Sequence, residues 1–314
     1  MKLSALPKNR IVKSTKAKNF VCFVAACFLL LILVKPILPP AFSTEVSQTP
    51  IAQSECTIAQ SGDPRSPNNP DIPYIISPRR TLLLTDKPKL RWNQVLGVKS
   101  YDVSLQKAGS VLWQTKVSTN QVVYPGEPRL ETGVEYLLNV KADNGKLSTD
   151  EKPNARGFSL LSKEEAQVVK ASMMQLNNQK ASDKVKGLQS AFFYIGADLK
   201  SEAIETLEAL ISSGIKETSV YRKLGYLYWQ TGVNVLTETN YLNAHKLAVA
   251  NKDVLQQGQI AEALGNLYIA IDDQKTGRNW FNKARDSYKT LGNKQRVEEL
   301  NEQINQLKTN KPTA

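Results

Sequence analysis

"LGYLYWQ" (224–230) and "LGNLYIA" (264–270) write Leu-Gly-x-Leu-Tyr twice, forty residues apart. A fainter copy lies thirty-four residues earlier, so that Tyr194, Tyr228 and Tyr268 coincide. Three residues before each Tyr stands a small residue: Ala191, Gly225, Gly265. Nine after each comes another (Ala203, Thr237, Gly277), thirteen after a large apolar one (Leu207, Tyr241, Phe281), and sixteen after Leu210, Ala244 and Ala284. This spacing has a physical sense. The small residue lets the second helix of a hairpin approach the first, and the Tyr and later large residue fill the space to the next pair. One such hairpin cannot bury its apolar face alone, so the unit must be stacked.

Working outward, the helical character begins at Ser162. Ser162-x-x-Glu165 is a capping box, and the spacing predicts a leading helix over 162–178 within a segment 162–183. Three repeats follow, at 184–217, 218–257 and 258–297. The longer second repeat carries its insertion in the helix and turn "HKLAVANKDVLQQGQI". Val297, Leu300, Ile304 and Leu307 then form one apolar stripe, and 298–314 reads as the end of a capping helix with its tail.

Before Ser162 the period changes to two. Leu90 and Trp92, then Tyr101, Val103 and Leu105, then Val134, Tyr136, Leu138, Val140 and Ala142 alternate with polar neighbours. Such alternation buries one face of an antiparallel sheet. Turn signals at Gly97, Gly109, Gly126 and Gly145 separate the runs, and several short strands over 77–161 predict a β-sandwich. Residues 44–76 are rich in Ser, Thr, Gln, Asn and Pro and read as a disordered linker.

The formal charge of +12 raises the question of nucleic acid. Residues 1–19 carry six basic groups and no acid, however, and the rest is nearly balanced. The clustered Lys and Arg of a phosphate-tracking surface are missing, and no nucleic-acid partner is expected. The basic arm runs into the uncharged stretch Phe20–Val34, the order of an export signal, so that 1–43 reads as a cytoplasmic arm plus signal peptide or membrane anchor. Fifteen helical residues span about 22 Å against ~30 Å of hydrocarbon. Cleavage after Ser43 and retention as an anchor both stay open. Either outcome places the remainder in the periplasm, free or anchored to the inner membrane, with membrane contact through 20–34 if uncleaved. Val24-Ala25-Ala26-Cys27 matches a lipobox, but seven apolar residues follow it, which favours a chance match. Cys56 is the one cysteine beyond 43, so no internal disulfide is expected.

Two resemblances attach to these residues. The repeat over about 184–297 resembles the tetratricopeptide family. Leu90-x-Trp92, Tyr101-x-Val103-x-Leu105 and Leu130-x-x-Gly133-x-x-Tyr136-x-Leu138-x-Val140-x-Ala142 resemble fibronectin type III domains, in which the late Tyr makes a tyrosine corner; Thr132 stands where that family usually has Pro. Together they imply a multidomain chain: an Ig/fibronectin III-like all-β sandwich followed by an all-α tetratricopeptide solenoid. "NNPDIPYIISPR" with this domain order resembles exported, repeat-containing envelope proteins of cyanobacteria.

The residues offer little for catalysis. His245 is the single histidine, and no nucleophile elbow, glycine-rich phosphate loop or usual zinc ligand set accompanies it. No enzyme activity, cofactor or metal is expected. The tetratricopeptide resemblance implies a groove lined by first helices that holds a peptide or partner protein of the envelope. Its groove positions carry over to Arg222, Tyr226 and Trp229 in the second repeat and to Glu262 and Asn266 in the third; packing of Tyr226 and Trp229 against a neighbouring helix stays an equal alternative. The competing expectation is a carbohydrate-binding protein or enzyme of the envelope using the β-sandwich, with an exposed Trp113 as contact.

Overall fold

A computed structural model describes residues 68–151 and 157–309. The arm and apolar run of 1–43 and the linker residues 44–67 lie outside the described residues, as does the tail from 310. No helix among the described residues is long and apolar enough to cross a membrane. Among the described residues a sheet-rich region comes first, followed by eight α-helices.

The strands are β1 (Ile75–Ser77), β2 (Thr81–Leu83), β3 (Lys89–Trp92), β4 (Tyr101–Lys107), β5 (Ser110–Val117), β6 (Gln121–Val123), β7 (Tyr136–Ala142) and β8 (Phe158–Leu160). They form a three-stranded sheet, β1-β3-β6, and a five-stranded one, β2-β8-β7-β4-β5. Neighbours are antiparallel except β2 with β8. The expected alternation holds on β4 and β7, whose inward residues are buried in one core with Leu90, Trp92, Tyr124 and Phe158. Trp92 meets Tyr101 edge-on at 5.5 Å. The Tyr136 hydroxyl accepts the Glu131 amide N–H at 2.8 Å, fixing the turn that enters β7.

The linker expected to run to 76 ends earlier. Asn68, Ile72, Tyr74, Ile75 and Ile76 are buried, and β1 begins at Ile75. Their prolines and polar neighbours give a linker's composition, but alternate residues serve two cores. Ile75 joins the sheet core, while Tyr74 and Ile76 pack among helices.

The helices are α1 (Lys163–Asn177), α2 (Asp183–Gly196), α3 (Lys200–Ser212), α4 (Thr218–Thr231), α5 (Asn234–Ala250), α6 (Val254–Ala270), α7 (Gln274–Thr290) and α8 (Lys294–Thr309). Ser162 caps α1, with Glu165 completing the box. Each consecutive pair of helices packs together, and short connections make the neighbours antiparallel. The boundary expected at 257/258 cuts α6, because the third pair begins at Val254, where the Asp253 side chain accepts the Gln256 N–H. The extra length of the middle repeat lies at the end of α5 and the start of α6, each seventeen residues long.

The repeated glycines have a direct structural reason. A Cβ on Gly225 would lie 2.6 Å from the Tyr241 ring, and one on Gly265 would lie 2.6 Å from the Phe281 ring. The second helix therefore presses an aromatic ring onto bare backbone of the first at the same place in two successive pairs. Two hydroxyl bonds also recur. Tyr228 on α4 donates to Glu208 on α3 at 2.5 Å, and Tyr268 on α6 donates to Glu238 on α5. Leu300 and Ile304 of α8 close the last core.

Sheets and helices meet along a polar seam. Arg79, 2% exposed, donates to the carbonyls of Thr231 (2.6 Å) and Gly232 (3.1 Å) at the end of α4, to the Ile75 carbonyl (3.1 Å), and to both oxygens of buried Glu151. Gly232 has φ +78, and a Cβ there would lie 3.2 Å from the Arg79 guanidinium. The Asn68 amide donates to Glu151 at 2.6 Å, and its oxygen accepts the Val235 N–H at the start of α5. Further along, Leu82 N–H donates to the Asp198 carbonyl, Lys200 N–H to Thr81 Oγ1, and the Arg91 guanidinium to Glu208 at 2.7 Å.

Replacing Arg79 by Met leaves the Glu151 carboxylate buried without its cation. An expected loss of ~3–5 kcal/mol in denaturant unfolding follows, with part recovered when Glu151→Met is added. For Gly265→Ala, helix propensity favours Ala by about 1 kcal/mol, but overpacking against Phe281 costs ~1–3 kcal/mol. Net destabilisation is expected, with relief in Gly265→Ala/Phe281→Leu. A more stable single variant would contradict the close contact.

Candidate functional site

The first helices of the successive pairs, α2, α4 and α6, carry the residues the resemblance singled out. On α4, helical spacing puts Ser219, Lys223, Tyr226 and Gln230 along one side, and all four keep some exposure while Val220, Leu224 and Leu227 are buried. Lys223 Nζ lies 5.1 Å from the ring centroid of Phe192 on α2 and 6.0 Å from that of Tyr226. Phe192 is 49% exposed. An ammonium between two aromatic rings thus bridges α2 and α4 at the surface. The Tyr226 hydroxyl accepts from Gln230 Nε2 at 2.5 Å.

The five expected residues part company in this setting. Arg222 and Tyr226 share α4 one turn apart, both partly exposed and both close enough to the buried Tyr241 to act on its hydroxyl electrostatically. Arg222 Nε is enclosed without a hydrogen-bond partner. Trp229 is 8% exposed and packs with Ile260, Leu264 and Leu267 of α6, so its ring joins two helix pairs and offers little surface to a ligand. Glu262 is engaged by Arg296 of α8 and by the Tyr288 hydroxyl at 3.3 Å. Asn266, one turn on, is partly exposed. Phe192 and Lys223 were missed. "SAFFYIG" reads as uniform core, and only the packing of α2 shows which Phe faces outward.

One other expectation changes, and the single histidine finds an ordinary packing role. Trp113, taken as exposed, is half-buried against the sheet core, edge-on to Tyr124 at 5.3 Å, because β5 points it inward beside Leu105. His245 lies edge-on to Trp280 at 5.1 Å, and burial together with Lys283 holds its imidazole below its ordinary pKa. It packs α5 against α7.

A carboxyl pushed into the neutral range is a usual marker of a functional site. Here Glu202 fits that description but belongs to the seam. Its Oε1 accepts the Leu84 N–H at 2.7 Å and its Oε2 is buried without a partner. Burial raises its pKa to about 7, with the Leu84 bond opposing and nearby Glu205 adding to the rise. The folded state therefore holds a proton that the unfolded chain releases near its ordinary value of 4.5. This contribution to stability is complete below pH 4.5 and is lost as pH rises through about 7. Thermal unfolding should show a decline in stability between pH 5 and 8, on the order of 2 kcal/mol, and Glu202→Gln should flatten it. An unchanged pH profile in the variant would assign the decline elsewhere.

No family model matches the chain, and no curated protein is similar to it. Among solved structures, the crystal structure of BtubC (BKLC) from P. vanneervenii aligns at 12% identity with a TM-score of 0.33, covering 48% of this chain and 76% of that one. A likeness of that degree assigns neither fold nor function.

Proposed function

We propose that this chain is a non-catalytic exported scaffold. In this reading a tetratricopeptide-type array holds a peptide or partner protein on the face of its first helices, beside a β-domain of the fibronectin type III kind. The array reading is supported by the glycine–ring contact and the Tyr–Glu bond, each recurring in successive helix pairs. The β-domain reading is supported by the strand order of the two sheets and by the Tyr136 hydroxyl bonded five residues upstream. Export rests on the basic arm and apolar run of the amino terminus, which lie outside the described residues.

The observation that carries the binding reading is the Phe192–Lys223–Tyr226 bridge. Phe192 is the most open of these rings, at 49% exposed, whereas Trp229, Tyr241 and Phe281 are buried in the stack. Amphipathic aromatics and cations left partly open are the residue types that dominate interface energies.

A photo-reactive amino acid in place of Tyr226, used in the native envelope, should cross-link one partner identifiable by mass. With that partner purified, Arg222→Ala/Tyr226→Ala should weaken binding at least ~10-fold, the equivalent of ~1.4 kcal/mol, with helical content unchanged. Leu242→Ala, on exposed surface of α5, serves as the control. Equal affinity in all three proteins would remove this face from consideration.

A further inference from the structure

The outer face of the five-stranded sheet holds a second candidate surface, independent of the helix array. Strand register sets nine of its side chains in three rows. Lys116, Asp102 and Lys141 lie opposite one another across β5, β4 and β7; Gln114, Ser104 and Asn139 form the next row; Val111, Gln106 and Leu137 form the third. The rows floor a cleft of ≈ 800 Å³. Its wall is the segment after β7, which runs beside that strand. Leu147 bridges to Lys141, and Ser148 Oγ accepts the Val140 N–H at 3.0 Å.

The middle row is chemically unusual for a sheet surface. Asn is disfavoured inside strands, yet Asn139 sits mid-strand on β7, half-buried, with β4 on one side and the wall segment on the other. Among the described residues, no hydrogen bond engages the side chains of Asn139, Gln114, Gln106 or Ser104. A local preference is thus broken with no internal bond in return, the pattern expected where a residue serves a ligand.

We propose that this cleft binds a neutral, polyhydroxylated ligand, a glycan chain lying across the strands. Each amide offers one acceptor and a donor pair, which match vicinal hydroxyls that both donate and accept. Three strands ~4.8 Å apart spread the row over ~10 Å, long enough to engage successive sugar units. Val111, Leu137 and Leu147 supply apolar surface for the carbon-bound faces of the rings. In the charged row, Asp102 lies 3.7 Å from Lys116, so that together with Lys141 the row carries one net positive charge, short of the strong positive field an anionic ligand would require. An extended peptide would take its backbone bonds at the open edge of β5 rather than on this face. The site differs from the Trp113 surface expected from the sequence, since Trp113 points to the opposite side of the sheet.

The test applies the full chain to an array of neutral gluco-oligosaccharides and N-acetylglucosamine oligosaccharides, then titrates the best ligand calorimetrically. At least one should bind, with at least ~10-fold weaker binding in Gln114→Ala/Asn139→Ala. Asn139→Thr, which places a strand-favouring residue at the same position, should lose affinity while unfolding at the same or higher temperature. Arg222→Ala/Tyr226→Ala should bind the glycan as the unaltered chain does, which separates this site from the helix face. Failure of every neutral glycan to bind would overturn the proposal. Undiminished binding in the Gln114/Asn139 variants, or displacement of the glycan by an unrelated extended peptide, would do the same.

Discussion

The Arg79 guanidinium is the point on which the rest of the structure depends. A planar cation with five donors is enclosed almost completely, and every direction it points finds an oxygen: two carbonyls at the end of α4, one in β1, and both oxygens of Glu151. Desolvating such an ion is costly and pulls its pKa down. The cost is offset by the Glu151 charge and by the negative end of the α4 dipole, where a cation belongs. Because the guanidinium geometry is rigid, these partners cannot drift independently. β1 with the turn that follows it, the segment after β7 up to Glu151 and the α4–α5 corner are held together at one place.

Around that place the seam is continuous. Thr81 and Leu82 meet the start of α3, Arg91 reaches Glu208, and Glu208 in turn accepts from Tyr228. A cation in β3 is thereby linked to an aromatic inside the helix stack. Sheets and helices behave as one body with shared apolar filling, since Tyr74 and Ile76 pack into the first helix core. Neither candidate surface contributes a residue to this seam. The α2–α4 bridge of Phe192, Lys223 and Tyr226 and the amide row of the sheet are each supported from behind by packed elements, so ligand-facing side chains stand on rigid scaffolding.

Some features were legible because they are properties of spacing. Gly225 and Gly265 each precede by sixteen residues the ring that covers them, and a contact between neighbouring helices leaves that interval in the sequence. Alternation on β4 and β7 is legible for the same reason, since a strand repeats every two residues. Trp229 stood open between groove and stack because its helical position satisfies both roles, and only the arrival of α6 against it chooses. Trp113 was misplaced because the bulge between β4 and β5 at Leu105/Gln106 makes outward and inward positions on β5 unreadable from its own pattern.

The sequence by itself determined the order of parts: an amino-terminal basic arm and apolar run, then period-two strands, then helices with small residues where backbones must touch. Those are local demands, met by residues within one element or one hairpin. Only the tertiary structure decided that "NNPDIPYIISPR" is a joint rather than a linker, that Arg79 is buried while Arg80 beside it is not, and that Gln114, Ser104 and Asn139 stand in one row. The physical reason is separation along the chain. Arg79 meets partners 72 and 153 residues away, and the amide row is assembled from three strands by register. Neither charge compensation nor register over such distances leaves a period for a single sequence to display.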